Sequence, residues 1–73
     1  MRAYSILNTN SKGTVGFGTY YTKAKAMGEA NLWTTPIGTV LTIGEFELTN
    51  LGESNQVAEY DLNGHYLWEI EYV

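Results

Sequence analysis

Three features of this sequence predict an α+β fold of order ββαβββ, with a single helix packed on one face of a four- to five-stranded antiparallel sheet. Stretches of alternating apolar and polar residues occupy both halves of the chain, one stretch between them has helical spacing, and turns rich in glycine and asparagine separate the alternating stretches. Residues 1–73 are expected to form one domain, because no linker, repeat or low-complexity tract interrupts them and the only proline is Pro36.

The first strand is expected over Arg2 to Leu7, with Tyr4 and Ile6 on one face. Asn8 to Gly13 turns the chain, and Thr14 to Tyr21 returns as a second strand with Val15 and Phe17 inward. Thr22 is the expected N-cap, its hydroxyl accepting from a free N–H of the first helical turn. Behind it Ala26, Met27, Ala30 and Trp33 share one helical face, and Thr35, extended by the following Pro36, stops the helix. This helix is weak alone: Gly28 costs about 1 kcal/mol relative to alanine, and Lys23 and Lys25 oppose the dipole. Tertiary packing must hold it, and the small Ala26 and Ala30 permit close approach to a sheet.

From Thr39 to Thr49 the pattern is strand-like but changes phase. Leu41 and Ile43 share one parity and Phe46 and Leu48 the other, so a β-bulge is expected at Gly44. Asn50 to Asn55 is a loop, and Gln56 to Val73 a hairpin around Asn63-Gly64. A two-residue turn there would mix rings with carboxylates on each face. A three-residue loop beginning at Asp61, with Gly64 left-handed, pairs Tyr60 with Tyr66 and Ala58 with Trp68. In that register Ala58, Tyr60, Tyr66, Trp68, Ile70 and Tyr72 face the core and Glu59, Asp61, Glu69 and Glu71 face away.

Composition excludes several classes of function. There is no cysteine and the only histidine is His65, so disulfides, thiolate metal sites and a structural zinc are not expected. Apolar packing must supply the stability of a chain short enough to bury only about 60% of its unfolded surface, and ten aromatic residues are available for it. The opening residues lack a secretory apolar stretch and nothing has the length of a membrane span, so a cytoplasmic protein without a membrane partner is expected. The net charge of −4 argues against direct nucleic-acid binding, which needs basic side chains to displace counterions.

No motif indicates catalysis or a cofactor. Gly16-Phe17-Gly18 lacks the third glycine and the βαβ setting of a dinucleotide site; here the glycines are expected to let the helix or Trp33 lie close on the sheet. His65, at a hairpin tip opposite Asp61, has no nucleophile or enclosing pocket, and Ser5, Ser11 and Ser54 stand in no elbow motif. The pairs Glu45/Glu47 and Glu69/Glu71 lie on open strands without the cleft that glycosidase chemistry requires, and no calcium loop is present. The chain is therefore expected not to be an enzyme.

The charge distribution is informative. All bases (Arg2, Lys12, Lys23, Lys25) lie in the first 25 residues, whereas Glu45, Glu47, Glu53, Glu59, Asp61, Glu69 and Glu71 lie from residue 45 onward. In the register above Glu45, Glu47, Glu59, Asp61, Glu69 and Glu71 form an acidic plate opposite the helix. Such a plate would be steered toward a basic protein surface, for instance one that normally holds nucleic acid. Tyr20, on the opposite parity from Phe17, and Leu67 are expected outside, where a tyrosine edge suits a partner or a second copy of the chain.

In size, acidity and lack of catalytic motifs the chain is similar to the small inhibitors that phages and mobile elements direct against host defence enzymes, of anti-CRISPR or anti-restriction type. That similarity implies a non-enzymatic inhibitor acting by protein binding. Two other readings are a self-associating structural protein using strand edges and tyrosines, and a small-ligand or carbohydrate binder built on Trp33, Trp68 and tyrosines.

Overall fold

A computed structural model describes residues 1–70 of the chain. It contains β1 (Arg2–Asn10), β2 (Gly13–Tyr20), α1 (Lys23–Ala30), β3 (Val40–Leu48), β4 (Ser54–Tyr60) and β5 (Tyr66–Glu69). The expected α+β fold is present: the strands form one antiparallel sheet of order β2-β1-β3-β4-β5, and the helix packs on one face. Glu71 and Tyr72, assigned above to the outer and inner faces of the last hairpin, lie outside the described residues.

β1 and β2 are joined by a tight turn in which Asn10 Oδ1 accepts the Lys12 N–H at 2.8 Å. Leaving edge strand β2, the chain forms α1 and reaches β3 on the far side of β1, so the helix lies across the middle of the sheet. Thr22 caps it from an extended conformation, its Oγ1 accepting the Lys25 N–H at 3.2 Å. Asn31, not Pro36, sets its end. The Met27 carbonyl accepts from both the backbone N–H of Asn31, at 3.0 Å, and its side-chain amide, at 2.8 Å. The chain then tightens, with Trp33 N–H reaching the Ala30 carbonyl at 3.1 Å. Trp33 thus meets Phe17 edge to face, ring centroids 5.5 Å apart.

Ile6 and Ile43 face each other across β1 and β3, and both are fully buried, as are Ala26 and Ala30 of the helix above them. Ala58 and Tyr60 complete the cluster, flanked by Tyr4, Tyr20, Met27, Trp33, Leu41 and Leu62. Only side chains as small as alanine let a helix backbone come this close to two isoleucines.

The register corrects expectations at three places in the sheet. β3 carries no bulge at Gly44, since its pairing with β1 runs unbroken from Arg2↔Glu47 to Thr9↔Val40. The phase change in its apolar residues arises because both sheet faces exclude water. Leu41 and Ile43 lie under the helix, while Phe46 and Leu48 lie on the helix-free face, where Ala3, Leu7 and Thr42 are buried. Gly44 is glycine because a Cβ would stand 2.8 Å from Phe46 Cε2 and 2.9 Å from Leu7 Cδ1. The bulge sits instead on β4, where Val57 is the extra residue between Gln56↔Phe46 and Ala58↔Glu45.

A second bulge falls in β2, between Ile6↔Phe17 and Tyr4↔Tyr20, where Gly18 has φ +74°. The added residue flips the strand's phase, so Tyr20 packs inward beside Tyr4 and is not the exposed tyrosine that simple alternation predicts. Gly16 opposes Leu7 on the helix-free face, so the glycines do not make room for Trp33 as expected; Phe17 receives that ring.

The third correction concerns the last hairpin. Its turn forms as expected: Gly64 has φ +86°, its N–H reaches the Asp61 carbonyl at 3.0 Å, and Tyr60 pairs with Tyr66. Beyond it Leu67 is an extra residue, and the next pairs are Glu59↔Trp68 and Ala58↔Glu69. Trp68 therefore crosses to the helix-free face and Glu69 to the helix side, the reverse of the expected sorting. Tyr66, Trp68 and Ile70 are exposed, and none belongs to the core.

Replacing Ile43 by alanine should destabilise the fold by about 2–5 kcal/mol, through lost burial and an incompletely collapsing cavity. Gly28→Ala should have the opposite sign, a gain of about 0.5–1 kcal/mol, because nothing lies within 4 Å of the added Cβ. Urea unfolding of both variants checks the pair.

Candidate protein-interaction surface

The carboxylates expected to share one face lie on two faces and in a turn: unbroken pairing of β3 with β1 keeps Glu45 and Glu47 on the helix side, and the β5 bulge moves Glu69. Glu45 and Glu47 lie on the helix side and share Arg2: Nη1 is 3.0 Å from Glu45 Oε2 and Nε 2.6 Å from Glu47 Oε2. The N-terminal ammonium adds a contact to Glu47 Oε1 at 3.2 Å. Glu45 is held further by the Tyr60 hydroxyl, which donates to Oε1. Burial first, and then that bond, push the Tyr60 phenol far above its ordinary range. Asp61 stays in the turn, Glu69 lies at the helix-side edge beside Ala58, and Glu59 occupies the other face. Among the described residues no common acidic plate forms, and Tyr20, half-buried against the core, stands apart from these groups.

What the structure does bring together is an apolar edge. β5 is the outermost strand, and Tyr66, Leu67, Trp68 and Ile70 are 56%, 53%, 41% and 44% exposed. Ile70 N–H donates inward to the Val57 carbonyl at 2.8 Å, so by alternation the backbone groups of Glu69 point away from the sheet. Exposed apolar side chains beside outward backbone donors and acceptors are the requirements for adding a strand. The sequence carries a signal for this edge: Tyr66-Leu67-Trp68 are three consecutive large apolar residues, which no alternating strand can bury on one face.

The hairpin is fixed to the helix. Lys23 Nζ stands 4.3 Å over the Tyr60 ring and donates to the Gly64 carbonyl at 3.3 Å, while Tyr66 stacks against Tyr60 at 4.5 Å. Asn31 reaches the Leu62 carbonyl at 3.4 Å. These contacts hold the base of β5 while its outer edge stays open.

On the helix-free face beside β5, Glu59 is half-buried. Its Oε2 accepts the Thr42 hydroxyl at 2.5 Å and its Oε1 accepts Trp68 Nε1–H at 3.0 Å. The strand positions sharing this face are otherwise uncharged among the described residues: Ala3, Ser5 and Leu7 on β1, and Thr42, Gly44, Phe46 and Leu48 on β3.

Elsewhere a groove of about 640 Å³ runs between the end of β2 and α1, lined by Tyr20, Tyr21, Lys25, Gly28, Glu29 and Leu32. His65 Nδ1 lies 3.6 Å from Asp61 Oδ2, and both groups are open to water. Among the described residues no three or more acidic or histidine side chains cluster as a metal site would require, and no helix is long and apolar enough to cross a membrane. No protein-family model matches the chain, nor does any curated protein or solved structure.

Asp61 sets the hairpin turn. The backbone N–H groups of His65 and Asn63 donate to its Oδ1 at 3.0 and 2.9 Å and lower its pKa from 3.8, the His65 bond having the larger effect. A lowered folded-state pKa means that this stabilisation is complete above the unfolded value and is lost as pH falls through the folded one. Melting temperatures measured from about pH 5 down to about pH 2 should therefore fall less steeply for Asp61→Ala than for the parent.

Proposed function

We propose that this chain is a non-enzymatic protein-binding module, an inhibitor or adaptor, that takes an extended segment of a partner protein along β5. The observation that carries the reading is the exposure of four large apolar side chains within the five residues 66–70, on an open sheet edge. A small domain with a thin stability margin gains nothing from leaving such an edge free; strands without a partner are ordinarily shielded by charge, proline or a covering loop.

Charge defines the partner. The sequence has no lysine or arginine after Lys25, and Lys23, the base nearest the hairpin, is occupied by Tyr60 and Gly64. Among the described residues, Glu59, Asp61 and Glu69 surround the strand without a lysine or arginine paired to them. An incoming strand that alternates apolar residues with lysine or arginine would satisfy both features, its apolar side chains against Leu67 and Ile70 and its cations among the carboxylates. A second copy of this chain fits less well, because pairing β5 with itself would bring together two molecules of charge −4 with Glu59 and Glu69 crowded at the junction. The basic partner surface inferred from composition is thus retained, while the docking element becomes a strand edge in place of an acidic plate.

Selection from a displayed library of random extended peptides tests the reading. Enriched peptides should alternate basic and apolar residues, and their binding should shift backbone amide resonances at residues 66–70. Leu67→Lys should weaken binding about tenfold or more by repelling the partner's cations at the edge, while Leu32→Lys, beyond the end of the helix, should leave it unchanged. Failure to enrich any peptide, shifts confined to another surface, or sedimentation showing dimers joined through β5 would overturn the proposal.

A further inference from the structure

Glu59 differs from the other carboxylates withdrawn from water. Glu45 and Glu47 share Arg2 as a counter-ion, and Glu47 has the N-terminal ammonium as well. Glu59, half-buried in a face otherwise uncharged among the described residues, makes no ion pair with any of them. Withdrawing a carboxylate from water without a counter-ion is costly, and two neutral donors offset only part of that cost. The orientation of those donors is informative. Thr42 engages Oε2 and Trp68 Nε1 engages Oε1, so each oxygen keeps one lone pair, and the carboxylate is fixed in place before any ligand arrives.

From this arrangement we infer that Glu59 is an arginine-binding position, receiving one guanidinium from the partner segment that β5 takes. The inference rests on the strand-addition reading and deepens it. A guanidinium is planar and donates two parallel N–H bonds, matching the two remaining acceptor directions of a fixed carboxylate. Trp68, 41% exposed and anchored at its Nε1, offers a ring face on which the same plane can stack. An ammonium group could satisfy the charge but neither the paired bonds nor the stacking, so arginine is favoured over lysine. The location is consistent with the route: Glu59 pairs with Trp68 across β4 and β5, one strand in from the free edge, within reach of a long side chain from an added strand.

The test uses peptides already enriched for binding along β5, synthesised with arginine, lysine or citrulline at each basic position in turn. Citrulline preserves the shape of arginine and removes its charge, so it probes the parent protein without any substitution in the fold. At one position citrulline should weaken binding about 10- to 100-fold and lysine by less. Against Glu59→Gln the three peptides should bind within about twofold of one another at that position, because the charge that distinguishes them is gone. If citrulline binds as well as arginine at every position while the β5 amides still shift, the arginine site is rejected and the strand-addition reading stands. Discrimination that survives in Glu59→Gln also rejects the site. If no peptide engages β5, both fall together.

Discussion

The fold depends on how closely α1 can lie on the two central strands. Ile6 and Ile43 meet across β1 and β3, and the helix covers them with Ala26 and Ala30, leaving no room between for a larger side chain. Everything peripheral is oriented from there. The helix carries Lys23 to the Tyr60 ring and Asn31 to the Leu62 carbonyl, so the last hairpin is positioned by a helix that contributes few intrinsic preferences of its own. Gly28 and two lysines in the first turn would leave this segment unstable in isolation. Its stability comes from burial, and in return it orders the sheet.

The central pair β1·β3 is regular, whereas the three other strand pairings each contain a register shift. Each shift sends side chains to a face that uninterrupted alternation would not allow. One packs Tyr20 against the core, and another inserts Val57. The one at Leu67 places Trp68 beside Glu59. A sheet of this kind twists strongly, which fits the burial of Ala3, Leu7 and Thr42 on the face that no helix covers. The candidate interaction surface is a product of the same irregularity, because the β5 bulge exposes three large apolar residues in a row and supplies the indole that fixes Glu59.

Charge is organised by local neutralisation more than by its total. Arg2 and the N-terminal ammonium neutralise Glu45 and Glu47, and Tyr60 holds Glu45 from within the core. Among the described residues, Glu59 and Glu69 beside β5 have no such cation. The negative charge is thus concentrated at the last hairpin, where Glu59, Asp61 and Glu69 lie and no lysine or arginine follows Lys25, and the complementarity proposed for a basic segment is local.

Composition and periodicity by themselves determined the class of fold, the helix and its Thr22 cap, the left-handed Gly64 turn, the pairing of Tyr60 with Tyr66, and the gathering of bases before residue 26. These are properties of nearest neighbours along the chain: capping, backbone freedom at glycine, and the spacing of apolar side chains. Only the tertiary structure decided which residues share a face. Alternation fixes the face of a side chain only while pairing is uninterrupted, and where a bulge occurs depends on packing between strands distant in sequence. Leu67 becomes an extra residue because Trp68 can reach Glu59 and Tyr66 can stack on Tyr60 at once, and no window of consecutive residues contains that choice. The acidic plate was an inference about faces and failed for that reason, whereas the acidity of the hairpin, a property of composition, did not depend on register.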